Sequence, residues 1–258
     1  MGNQRTTSSS GDLGPLGHGQ TVAIIGGGPA GASCAIALGN LAAERKIDLK
    51  VLLYEAKDFD SEQQYNQCAG VLSPPIEEFL TGQLHVRFPD ELVQRTITDY
   101  LFRGTTETIR LAGGHEPSRA LRRVQFDRYL LGEAAKRGTE VLHERVQQLE
   151  IHRRGVHVFS ESSTRQVDAV VGAFGLDAGA ADAFSSATAY RPPPCIDTLV
   201  TKFHPPEAGL AAHGQTAYAF LPPIRRVDFA AIIPKGNHLT VVVVGRKLSI
   251  ETMDQVLQ

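Results

Sequence analysis

The chain has 258 residues and a formal net charge of −2, which gives no electrostatic attraction to nucleic acid or to an acidic membrane surface. Aromatics are 7% of the sequence and tryptophan is absent, which argues against a stacking platform for single-stranded nucleic acid. The three cysteines, Cys34, Cys68 and Cys195, offer neither a disulfide framework nor zinc spacing and suit a reducing, cytoplasmic setting; no apolar run has the length to span a bilayer.

Met1–Gly19 is Gly/Ser/Thr-rich, lacks the apolar segment of a secretion signal and reads as a disordered leader, with order beginning at Gln20. Thr21–Ile25 is a β-branched run that stops at three glycines, the pattern of a buried strand and a tight turn. Pro29 suits the first turn of a helix, and Ala30–Ala43 is alanine-rich enough to pack closely on a sheet. Leu49–Tyr54 is a second apolar strand ending at Glu55, which completes a βαβ unit.

Gln67–Pro75 then reads as a loop, Ile76–Leu80 as a short helix, and Thr96–Phe102 with Thr106–Leu111 as a hairpin. Phe126, Tyr129, Leu130 and Ala134 share one helical face, so Val124–Arg137 is predicted to be an amphipathic helix, followed by a strand at Glu140–His143. Val146–Ile151 and Val156–Phe159 form a hairpin, and Val167–Ala173 is a central strand. Beyond Pro192–Pro194, the runs Thr198–Phe203, Ala217–Leu221, Phe229–Ile233 and Leu239–Val244 read as an antiparallel sheet, with a helical tail at Ser249–Gln258. The predicted class is α/β: a Rossmann-like parallel sheet over residues 20–190 with inserted strands, and part of an antiparallel subdomain over 191–258.

The chemistry centres on Gly26-Gly27-Gly28-Pro29-Ala30-Gly31, a G-x-G-x-x-G between strand and helix. Gly26 permits the turn, Gly28 lets the backbone approach a pyrophosphate, and Gly31 lets the helix pack on the strand. The free N–H groups of the helix N-terminus behind Pro29 face the phosphates with the positive end of the helix dipole, and Glu55 accepts from ribose hydroxyls. His204, His213 and His238 show no metal spacing and read as surface histidines. No metal site is expected.

Gly26–Gly31 with Glu55, then Arg123-Val124-Gln125-Phe126-Asp127, then Asp168–Gly175, resembles the N-terminal FAD-binding part of the geranylgeranyl reductases and the aromatic-ring flavin hydroxylases. The middle motif of those families, R-x-x-F-D, is matched by Arg123, Phe126 and Asp127. Their V-V-G-A-D-G is matched at Val170–Gly175 except that Phe174 replaces the acid. The resemblance implies FAD as cofactor, with Gly26, Gly28, Pro29, Ala30, Gly31, Glu55, Arg123, Ala173 and Gly175 around it.

Asn66–Pro74 also resembles the Cys-Gly-Gly-Leu-Ser-Pro loop beside the isoalloxazine in the reductases, which makes Cys68 a candidate proton donor, or else a small buried hydrophobe. Tyr218–Phe220 and Pro234–His238 resemble a stretch of the substrate-covering sheet, or form an ordinary strand and turn. The implied activity is hydride transfer through flavin to a hydrophobic, isoprenoid-like small molecule, with electrons from NADPH or a protein donor. The alternatives are a flavin monooxygenase and a non-catalytic FAD-binding fragment. No nucleic-acid partner or transmembrane segment is implied, and contact with a membrane surface is compatible. The late Gly-Asp segment of these families is not found after Val244, so the expectation is an incomplete and weakly active portion of an enzyme.

Overall fold

The computed structural model describes residues 15–59, 68–112 and 116–257. It opens with β1 (Thr21–Ile25), α1 (Pro29–Arg45) and β2 (Lys50–Tyr54), the expected βαβ unit. After β3 (Val71–Leu72), α2 (Ile76–Glu78) and its π-turn continuation Phe79–Gln83 come β4 (Val93–Ile97), β5 (Asp99–Arg103), β6 (Thr108–Ala112) and β7 (Ser118–Leu121). The expected amphipathic helix is α3 (Arg123–Lys136), leading into β8 (Glu140–Leu142). Next stand β9 (Val146–His152), β10 (Gly155–Ser160), β11 (Thr164–Val167), β12 (Ala169–Gly172) and α4 (Ala178–Ala187). The last part holds β13 (Asp197–Phe203), α5 (Glu207–Ala212), β14 (Thr216–Phe220), β15 (Val227–Pro234), β16 (Leu239–Gly245) and α6 (Ile250–Leu257).

The parallel sheet has the order β12-β1-β2-β8. Its strands are apolar on both faces because both are covered. Val22, Ile24, Val51 and Leu53 pack with Ala32, Ala35 and Ile36 of α1 and Phe126, Leu130 and Ala134 of α3. On the opposite face Ala23, Ile25, Leu52 and Tyr54 meet Val146, Leu149 and Val158 of the β9–β11 sheet and Ala180 and Ala183 of α4. Each buried Val, Leu, Ile or Phe side chain among these contributes about 1.5–3 kcal/mol relative to exposure, so this three-layer core fixes where the strand ends point.

The strands β13-β16-β15-β14 run antiparallel as expected, and the β5–β6 hairpin extends that sheet through a parallel β14–β5 pair. A small fourth sheet, β3-β7-β4, sits at the Cys68 loop.

Four local expectations change. Residues 15–19 are tied to the fold: Leu16 packs on the core, and Gly19 N–H donates to Asp48 O at 2.7 Å; the rest of the expected leader lies outside the described residues. The run Thr96–Phe102 is two strands in two sheets, because Thr98 and Asp99 N–H both turn to Gln215 O and Ile97 stays paired with Ser118. The run Val167–Ala173 breaks at Asp168, whose N–H and carboxylate pair with the Thr21 carbonyl and N–H as the chain crosses from β11 to β12. The loop at Gln67–Pro75 carries the short strand β3, with Gln67 outside the described residues.

Candidate functional site

At the carboxyl ends of β1, β2 and β12 the Gly26–Gly31 turn, Glu55 and Ala173–Gly175 come together. Here the connections that follow the neighbouring strands β1 and β12 pass to opposite faces of the sheet, α1 to one and α4 to the other, as at the switch point where open α/β sheets bind ligands. Gly26 has φ +107°, and a Cβ there would lie 2.4 Å from Ala173 O. Ala173 N–H in turn donates to Ile25 O at 2.8 Å. A Cβ on Gly31 would lie 1.8 Å from Gly26 O, so the turn and α1 fit together only with glycine at both places. Gly175 takes φ +58° at the far side of the turn.

Gly28 differs from these. Its backbone is extended, φ −65° and ψ −176°, which any residue adopts, and a Cβ there would meet nothing within 4 Å. Nothing among the described residues requires glycine at 28, whereas a phosphate seated on the helix end would. Gly28 caps α1 without a side-chain bond, Pro29 follows at the first helical position, and the first-turn N–H groups, Ala30 and Gly31 among them, remain for an anion. These residues fit a dinucleotide.

Glu55 holds the turn from the side. Its Oε2 accepts Gly27 N–H and its Oε1 accepts Lys57 N–H, each at 2.8 Å. A carboxylate has about four acceptor positions, so capacity remains for ribose hydroxyls. Beside it opens a cleft of about 330 Å³ bounded by Gly26, Glu55, Arg145, Phe174 and Leu176. Phe174, standing where the acid would be, packs on Phe184 and Tyr190 with ring centroids 4.9 and 5.7 Å away. An apolar partner thus takes the place of a charged contact at this wall.

Arg123 and Cys68 are not in that cleft but share a second one of about 450 Å³. Phe126 anchors α3 in the core, and the buried Asp127 accepts from Arg123 Nε at 2.6 Å, so the guanidinium is oriented by its own helix. Its Nη1 is 3.9 Å from Cys68 Sγ, which also receives Gly70 N–H at 3.4 Å. Cys68 is half-buried at the cleft wall, not a core residue. Gln94 Oε1, from another lining residue, is buried with no hydrogen-bond partner among the described residues.

Lys235 lies in the stretch that resembles a substrate-covering sheet, but its burial had no sign in the sequence pattern. It is 3% exposed, lines the second cleft, and donates from Nζ to Leu121 O at 2.6 Å and Gly70 O at 3.1 Å. The end of β15 is thereby tied to both the Cys68 loop and the approach to Arg123. Burial lowers its pKa to about 8. A lysine after an apolar run beside a turn reads as solvated, and only the tertiary crossing of β15 over Gly70 buries it.

His238 also departs from the surface reading. It is 5% exposed, with Nδ1 3.0 Å from Asn237 Oδ1, and burial followed by the nearby Lys202 charge lowers its pKa to about 4. His213 is half-buried against Tyr218, while His204 is exposed as expected. The second cleft is lined by Arg122, Arg123, Lys202 and Lys235 and, among the described residues, by no carboxylate. Such a lining stabilises negative charge that develops beside it.

No protein-family model matches the sequence, and no curated protein matches it. Solved structures do match in fold. A geranylgeranyl bacteriochlorophyll reductase-like protein from Thermoplasma acidophilum superposes with TM-score 0.66 and 19% identity, over 88% of this chain and 57% of that one. The flavin-dependent brominase Bmp2 gives TM-score 0.67 and 17% identity over 88% and 56%. The 2-methyl-3-hydroxypyridine-5-carboxylic acid oxygenase gives 0.66 and 17% over 88% and 59%. The chain thus spans a little over half the length of the structures it matches. It has the fold of these three proteins, a reductase-like protein of the kind its motifs resemble among them.

Proposed function

We propose that the chain is the FAD-binding portion of a flavin-dependent oxidoreductase, of the reductase kind, acting on a hydrophobic, isoprenoid-like small molecule. The observation that carries the cofactor is Gly28: an unstrained glycine whose missing Cβ opens space at an uncapped helix end. Gly26, Pro29, Ala30 and Gly31 would surround the pyrophosphate, Glu55 the adenosine ribose, and Ala173 and Gly175 the backbone between, with Arg123 at the flavin end. Bound FAD supplies hydride transfer, with electrons received from NADPH or a protein donor.

This chain's own residues orient and shield. Asp127 holds Arg123 at the cleft wall, and Lys235 holds the Cys68 loop against Leu121, so the thiol and guanidinium keep one arrangement. Cys68, with Sγ 3.9 Å from Arg123 Nη1, serves as the candidate donor. No described helix is long and apolar enough to cross a membrane, and a hydrophobic substrate is compatible with contact at a membrane surface.

The likeness to a brominase and an oxygenase supports a second reading, an oxygen-dependent monooxygenase. Anaerobic single turnover separates the two. The FAD-loaded chain, chemically reduced, is mixed with a polyprenyl alkene, and the return of oxidised flavin absorption is followed. Reoxidation without oxygen, with a saturated product, is expected; reoxidation that requires oxygen and yields an oxygenated product overturns the reductase reading.

Glu55 provides a graded check on the ribose contact. Glu55→Gln keeps an acceptor and is expected to weaken FAD binding by less than about tenfold, roughly one hydrogen bond. Glu55→Arg is expected to weaken it further and shift preference toward a 2′-phosphorylated ribose. Fluorescence titrations giving equal affinities for wild type and both variants would remove Glu55 from the site.

A further inference from the structure

Away from both clefts, β9 and β10 carry Glu150, His152 and His157 on one face of their hairpin. The pairing sets His157 opposite Glu150, and His152 lies two residues further along β9, on the same side. Leu149 and Val158, a matched pair in the same register, belong to the core, so the alternation turns the three polar residues outward. One nitrogen or oxygen from each lies within 4.8 Å of those of the other two. His152 Nε2 is 3.6 Å from Glu150 Oε2, and the two imidazole rings are 4.6 Å apart. The His152 and Glu150 side chains are about half exposed, so a hydrated ion has direct access.

An ordinary cross-strand ion pair needs one histidine and one carboxylate. Here a second imidazole converges on the same point, and strand register fixes all three on a paired scaffold. We propose that Glu150, His152 and His157 form a binding site for a divalent transition-metal ion, with zinc the reference case. Two imidazole nitrogens and a carboxylate oxygen suit zinc, copper(II) and nickel, and disfavour magnesium and calcium, which take oxygen donors. Three protein ligands leave a fourth tetrahedral position for water. Donor atoms about 2.0–2.1 Å from zinc lie about 3.3 Å from one another, so side-chain rotation closes the present spread while the backbone stays in place. Arg153 and Arg154 form the hairpin turn beside His152, and their charge lowers affinity below that of a closed structural site. The ion would bridge β9 to β10 and stabilise the hairpin by mass action.

The test is isothermal titration of zinc chloride into the full chain, with thermal unfolding in zinc and in chelator. Wild type is expected to show one saturable site and a melting temperature raised by zinc. His152→Ala and His157→Gln are each expected to lower affinity at least about tenfold, since loss of a residue merely supporting a ligand already costs that much. They should also abolish the zinc-dependent rise in melting temperature. Melting in chelator verifies that each variant folds, and Glu150→Gln replaces any that does not. Zinc binding by wild type that is absent, or no tighter than in the variants, overturns the site.

Discussion

Replacing Gly31 with alanine is expected to destabilise the chain by more than about 3 kcal/mol, whereas replacing Gly28 with valine is expected to leave the fold standing and abolish FAD binding. Both are motif glycines, yet their surroundings differ in kind. A methyl at 31 would sit 1.8 Å from Gly26 O, a backbone atom that cannot swing aside. Ordinary overpacking costs about 1–3 kcal/mol; here helix and turn must separate, and a domain commonly has about 5–15 kcal/mol in total. At 28 the backbone is already suited to any residue and the Cβ direction is empty. Loss of a favourable N-cap costs about 1 kcal/mol. The valine side chain instead fills the space facing the helix N-terminus, where the pyrophosphate would lie. Urea unfolding and flavin titration on both variants read the two effects separately. Equal stability losses, or retained FAD affinity in Gly28→Val, would contradict the assignment.

Lys235→Met is the second large effect, and its signature is in the pH dependence. The substitution removes the bonds to Leu121 O and Gly70 O; Gly70 O keeps the Leu121 N–H, so chiefly the Leu121 carbonyl loses a donor. That costs about 1–3 kcal/mol and frees the Cys68 loop from β15. In wild type, burial lowers the Lys235 pKa to about 8 from 10.5. Between those values the unfolded chain binds more protons than the folded one, so stability rises with pH across the window. The rise is up to about 3 kcal/mol, and it disappears in Lys235→Met. The neutral amine keeps two N–H groups for the same two carbonyls, which is why deprotonation does not release the loop. Chemical denaturation at several pH values from 7 to 10.5 measures both lines. Parallel curves for wild type and variant would show that Lys235 titrates normally.

The dinucleotide end of the molecule was legible because its requirements are local. A tight turn, a close helix contact and an acid at the end of the next strand are written within Gly26–Glu55, and the structure puts them together. Arg123 was legible through the motif that also carries Asp127, its ion-pair partner. The second cleft was not, because it is built from crossings. Lys235 and His238 are buried by sheet strands far away in sequence, and no periodicity near residue 235 registers Gly70 or Leu121. The breaks at Thr98 and Asp168 escaped for a related reason: both are strand switches set by partners at Gln215 and Thr21. The helix α4 went unread because its small residues mark no strong apolar face, although Asp177 caps it by accepting Ala180 N–H.

On the proposed reading, the Gly26–Gly31 turn, Glu55 and Arg123 together hold FAD. Equilibrium titration of the purified full chain with FAD and, separately, with NAD⁺ tests it most directly. Saturable binding of FAD is expected, which excess NAD⁺ does not displace and Gly28→Val eliminates. Saturable NAD⁺ binding with no affinity for FAD, or FAD binding unchanged by Gly28→Val, would contradict it.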